Sequence, residues 1–293
     1  MKILPAIFVS TLALCFNGQE ANTLKAMLAS ETQFSDLCLE KGIRHAFLEY
    51  LAEDAIVLQP DPLPGRDWYT SAPDMGIQLE WYPVHATISN SGELGYTTGP
   101  WISSRITAPG DTVHYYGEFV TVWQLQNDGR WLVLIDGGNS HTKPDIQPEM
   151  LVLPSSSGYQ PPDVENDSIS VNEQVSTAEE SLATSIDQLG YAQGFRAHTA
   201  TDIRILRENS PPILEHQIYE KESEEGFWTW EPLSQHGSGD LGFALGYGEF
   251  RESAETKYAS KKISFLRIWK NTEMGWKIVL DLQNPVLSAN PDD

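Results

Sequence analysis

Apolar residues recur at helical spacing near the start of the chain. Leu24, Met27, Leu28, Phe34, Leu37 and Cys38 share one face, Thr23 is placed to cap the helix and Gly42 to end it. Ile43, Ala46, Phe47, Tyr50 and Leu51 predict a second, shorter helix. Residues 55–59 are a short apolar run of strand type. Residues 60–65 read as loop, because three prolines leave too few donors for a ladder. A short helix is expected from Asp67. Four strand-like runs follow, at residues 78–89, 94–106, 112–125 and 131–140. Asn90-Ser91-Gly92 and Asn127-Asp128-Gly129 between them supply hairpin turns. Helices first and a long antiparallel meander after is an α+β order.

The same pattern is written twice. Residues 92–99 read GELGYTTG and residues 239–246 read GDLGFALG. Trp81-Tyr82-Pro83 matches Trp230-Glu231-Pro232, and Val122-Trp123 matches Ile268-Trp269. Gly42, Phe47 and Asp54 correspond to Gly190, Phe195 and Asp202. The organisation expected is a leader over 1–21, a first domain over 22–148, a linker over 149–170 and a more divergent second domain over 171–290. The linker is rich in Pro, Ser and acidic residues, which keeps it solvated.

The chain has 293 residues and a formal net charge of −22. So acidic a surface repels phosphate backbones, and nucleic acid is excluded as a partner. The apolar run 3–16 is too short to span a bilayer and reads as the core of a secretory signal, so an exported protein is expected. Lipid anchoring through Cys15 is disfavoured by the bulky Leu14 just before it. With the leader removed, Cys38 has no partner for a disulfide and reads as a small buried hydrophobe.

Two helices, a short strand, a Pro-Gly loop and long strands ending in a GxWxxxxD pattern resemble the nuclear transport factor 2-like superfamily. Within it, the stretches SGELGYTTGPW and GEFVTVWQLQNDGRW are most similar to SnoaL-like exported domains. The resemblance implies a curved antiparallel sheet wrapped around the helices as a cone with one open end. It also implies back-to-back pairing of two sheets, here as a pseudo-dimer within one chain.

Alternation in residues 112–125 puts His114, Tyr116, Glu118, Val120 and Val122 on one face. Tyr115, Gly117, Phe119, Thr121 and Trp123 take the other. The Phe and Trp face is alike in both copies and reads as packing. The face with His114, Tyr116 and Glu118 is special to the first copy. Turned into the cone, Glu118 would be a buried carboxylate of raised pKa with His114 and Tyr116 beside it, able to accept a proton. The alternative places the three residues on a solvated edge or between the copies. Trp68, Trp81, Tyr96 and Trp101 are candidates to hold a flat apolar ligand. Trp81 and Tyr96 have counterparts in Trp230 and Phe243, which favours core, so Trp68 and Trp101 are better placed for a pocket mouth. Asp136 and Asp281 repeat at one late-strand position, which favours a structural turn or cap. His114, Glu118, His141 and Asp145 fit no closed metal motif. No nucleophile elbow, P-loop or dinucleotide fingerprint occurs, so neither metal nor cofactor is expected. Three functions remain open: a small-molecule binder with its apolar pocket mainly in the first copy, an isomerase, cyclase or dehydratase using Glu118, and an interaction module with side-chain-filled cones.

Overall fold

Gly42 and Gly190 adopt φ +85° and +81° at equivalent points, each ending one helix and starting the next. Side chains rarely tolerate that left-handed region, so glycine lets the chain turn there without strain. The computed structural model describes residues 12–73, 76–108, 111–146, 148–151, 170–214, 226–253 and 261–286. In the first half, α1 (Leu12–Lys41) and α2 (Ile43–Tyr50) are followed by β1 (Leu51–Leu58), β2 (Pro62–Pro64) and α3 (Gly65–Ser71). Then come β3 (Ile77–Trp81), β4 (His85–Ile88), β5 (Leu94–Ala108), β6 (Asp111–Leu125) and β7 (Trp131–His141). The second half has α4 (Val171–Leu189), α5 (Tyr191–Ala197), β8 (Thr199–Arg207), β9 (Ser210–Leu214), β10 (Phe227–Ser238), β11 (Leu241–Arg251), β12 (Lys261–Thr272) and β13 (Gly275–Pro285). A capping box formed by Ser170 and Glu173 fixes the start of α4.

The first sheet has the order β2-β1-β7-β6-β5-β3, with β4 also on β5. The second, read from β9, has the matching order β9-β8-β13-β12-β11-β10. Each sheet is mixed rather than wholly antiparallel as expected. β1 lies parallel to β7 and β8 parallel to β13, because each enters the sheet from a helix and not through a hairpin. Equivalent irregularities interrupt both sheets. The β6–β7 register shifts between Val122 and Trp123, and the β12–β13 register between Ile268 and Trp269.

Other expectations need correction in detail. The run 78–89 is two strands, parted at Pro83, whose ring denies the ladder a donor. Residues 62–64 do pair with β1, as an edge strand where missing donors are tolerated. Asp54 and Asp202 lie within β1 and β8, exposed where the register slips, not ahead of the strands. α1 begins at Leu12, not Thr23, since no proline interrupts the segment. The leader and the linker fall largely outside the described residues, as does the acidic run 222–225, whose composition reads as a solvated loop.

Each sheet wraps its own helices. Phe34, Phe47, Trp81, Trp123 and Trp131 fill the first cone's base, with Val175, Leu182, Phe195, Phe265 and Trp269 in the second. A third apolar layer lies between the sheets. It takes Leu94, Tyr96, Val120, Val122 and Ile135 from the first and Phe243, Leu245, Leu266, Ile268 and Leu280 from the second. The pseudo-dimer within one chain is therefore a face-to-face packing of the two outer sheet surfaces. Turns meet at its edge: the Asn90 backbone N–H donates to Asp240 Oδ1 at 2.8 Å, and Lys270 Nζ lies 2.9 Å from Asp240 Oδ2. Among the described residues no helix is long and apolar enough to cross a membrane.

Candidate functional site

The first cone is open. A cavity of about 590 Å³ runs along the inner face of its sheet, walled by Phe47, Tyr69, Leu79, Trp81, Trp101 and Phe119. Glu208, Asn284 and Pro285 of the second half complete its rim. Trp101 fits because Gly117 faces it: a Cβ on Gly117 would stand 2.4 Å from the indole and 2.0 Å from the Asn139 carbonyl oxygen. Tyr69 stacks on Phe47 with ring centroids 4.1 Å apart, and the Trp81 ring meets Phe119 edge-on at 6.4 Å.

Asp136 is the carboxylate that the first half contributes to this wall. It lies opposite Thr121 on the inner face, because the irregularity after Val122 brings Asp136 inward while Ile135 joins the layer between the sheets. Thr121 Oγ1 donates to Asp136 Oδ2 at 2.9 Å. No cationic side chain pairs with Asp136 among the described residues. Burial, only partly relieved by Thr121 and reinforced by nearby Glu31, pushes its pKa up to about 7. The Tyr69 hydroxyl is pushed well above its ordinary value by burial and by Asp136. Deeper in the cone, buried Glu31 accepts from Trp81 Nε1, Thr97 Oγ1 and, at 2.9 Å, Trp123 Nε1. Burial still holds its pKa above the usual carboxylate range.

The second cone has the same frame but is filled. Arg267 replaces Thr121 opposite Asp281. Its Nε donates to Asp281 Oδ1 at 3.2 Å and its Nη1 to Glu179 Oε2 at 2.6 Å. Its guanidinium lies 4.3 Å from the Trp230 ring centre and 4.0 Å from that of Phe265. Burial pulls the Arg267 pKa down, but Glu179 and Asp281 more than offset this and it ends raised. Arg207, where the first half has Gln59, adds a 2.6 Å ion pair to Asp281. Gln283, where the first half has Gly138, donates to Asp281 Oδ2 at 3.0 Å and to the Tyr191 hydroxyl at 2.8 Å. A cavity of about 140 Å³ lies beside Tyr191, Arg207 and Gln283.

The structure scatters the residues singled out from the sequence. Trp101 lines the cavity. Trp68 sits on α3, 39% exposed, outside the lining, and Tyr96 is buried between the sheets. His114, Tyr116 and Glu118 do not enter the cone, since their face of β6 is the one whose Val120 and Val122 pack against the second sheet. His114 is exposed and bonds Ser104 Oγ at 3.0 Å. Glu118 is buried near the seam, 3.9 Å from both His141 Nε2 and Arg204 Nη1. Burial, partly countered by Arg204, raises its pKa to about 7. Repetition of Asp136 as Asp281 favours a structural role, yet the two sites differ. The signal was in its cross-strand partner, Thr121 in one copy and Arg267 in the other. Cys38 is buried in the core, and burial followed by the charge of Asp136 pushes its thiol up to about 12. Among the described residues no group of three or more His, Cys, Asp or Glu side chains could hold a metal ion.

No family model matches the chain, and no curated protein matches it. Solved structures similar to it include an NTF2-like protein of unknown function from Shewanella oneidensis, 10% identical, covering 38% of this chain and 97% of that one at a TM-score of 0.32. An NTF2-like protein from Cytophaga hutchinsonii is 14% identical over 40% of this chain and 100% of that one, with a TM-score of 0.33. A ketosteroid isomerase-like protein from Erwinia carotovora atroseptica is 13% identical over 40% of this chain and 96% of that one, with a TM-score of 0.34.

Proposed function

We propose that the protein binds a small, largely apolar molecule in its first cone, and that the second cone is a filled counterpart that braces the first. The observation that carries this is the contrast between the two. One frame keeps an aromatic-walled cavity of about 590 Å³ with a few polar groups, Asp136, Gln59, Ser103 and Asn139 among them, while the other is occupied by Arg267 and Gln283. Ligand sites in this size range are mostly apolar with a few placed polar groups. We take the chain as two duplicated domains, 22–148 and 171–290, joined by 149–170. Matching strand order and matching register shifts support this division.

Native mass spectrometry of the protein from its own host tests the reading. A co-purified small molecule is expected on wild type and not on Ser103→Phe, which puts a ring into the cavity mouth. A ligand retained equally by both proteins overturns it.

Asp136 favours a second reading, proton transfer of the isomerase, cyclase or dehydratase kind. A half-buried carboxyl at the cavity wall with a pKa of about 7 is matched to accepting a proton at neutral pH. It takes the role first given to Glu118, which lies outside the cone. Asp136→Asn should abolish proton exchange beside a carbonyl of a bound ligand, and equal exchange in both proteins removes this reading.

A further inference from the structure

The molecule holds its own guide to what the open cone recognises. In the second cone a guanidinium sits inside a frame of two carboxylates and two aromatic rings, Glu179, Asp281, Trp230 and Phe265. Sheet register assigns their equivalents. Thr121 and Asp136 face each other as Arg267 and Asp281 do. Phe119 stands two residues before Thr121, as Phe265 stands before Arg267, and Trp81 matches Trp230 in the duplicated Trp-x-Pro segment. The rings also keep their arrangement: Trp81 meets Phe119 edge-on at 6.4 Å, and Trp230 meets Phe265 edge-on at 5.5 Å.

Asp136, Trp81 and Phe119 all line the first cavity, whereas Glu31, at the place of Glu179, is taken up by Trp81, Thr97 and Trp123, and no cationic side chain among the described residues pairs with Asp136. Thr121 stands where Arg267 does and Gln59 where Arg207 does. Aromatic faces attract cations electrostatically, and a buried carboxylate without a counter-charge is stabilised by one.

We propose that the first cone binds a small organic cation of amidinium or guanidinium type bearing an apolar group, its charged end held between Asp136 and the rings of Trp81 and Phe119. This deepens, and rests on, the reading of the cavity as a small-molecule site. The apolar remainder lies against Leu79 and Trp101, toward the rim. Glu208 at that rim is an acceptor already engaged by the Ser140 backbone N–H at 3.0 Å, so it fixes the rim's shape and adds a second negative charge there.

The test uses benzamidinium and its neutral isostere benzamide, titrated calorimetrically into the full chain. Benzamidinium should bind roughly tenfold or more tightly than benzamide, and Asp136→Asn should remove the preference while leaving benzamide binding intact. General attraction of cations to a chain of charge −22 would survive that substitution, so it cannot imitate the result. Thr121→Arg is the second variant. A tethered guanidinium should occupy the frame as Arg267 does and abolish benzamidinium binding. Equal affinity for the two probes, or a preference that survives either variant, overturns the cation proposal and leaves the cavity as a site for neutral molecules. Binding of neither probe overturns both readings.

Discussion

Asp136 takes up its proton near pH 7 in the folded chain, against an ordinary value near 4. Between those values the folded state holds a proton that the unfolded state has lost. This group therefore makes stability fall as pH rises from about 4 to 7. Asparagine has no such proton, so Asp136→Asn should gain stability relative to wild type between pH 4 and 8, read by urea denaturation across that range. A constant difference between the two proteins would show that the carboxyl ionises normally. Glu118, also raised to about 7, adds a slope of the same sign, and Glu118→Gln should flatten it separately. Neither environment was legible from the sequence. Alternation along β6 sorts residues into two sets, but which set faces the helices depends on the second sheet covering the other. The set that differed between copies proved to face that seam. The Phe and Trp set shared by the two copies faces the cone, with Trp123 in its packed core and Phe119 at the cavity wall.

At the level of elements, the duplicated pattern made the order of helices and strands readable, down to the glycine junctions at 42 and 190. Long strands were easier to place than short ones. β2 reads as loop because prolines at 60, 62 and 64 obscure edge pairing, which needs fewer donors, and β3 and β4 read as one strand across Pro83. Cross-strand register was not readable either, because one residue of slippage after Val122 or Ile268 reverses what faces inward. That register places Arg267 between Glu179 and Asp281. Arg267→Ala should cost about 3–5 kcal/mol, since it leaves the partly buried Glu179 without its cation and buried Asp281 with Arg207 alone. Arg267→Ala combined with Glu179→Gln should cost less than the sum of the separate changes, measured by a double-mutant cycle in denaturant.

Across the whole molecule, the apolar layer between the sheets ties the stability of one half to the other. Leu266 is fully buried there, and Leu266→Ala should cost about 2–5 kcal/mol. Both halves should lose hydrogen-exchange protection together, in α1 as well as α4, whereas protection lost in the second half alone would show that the halves unfold independently. The same contact has a consequence for how the protein can change. Glu208, Asn284 and Pro285 belong to the half with no roomy chamber, yet they form part of the doorway to the other. Substitutions in this neighbour can widen, narrow or recharge the entrance while every strand around the occupant stays as it is. On the proposed binding reading, tuning of what is admitted is thereby separated from the architecture that does the holding.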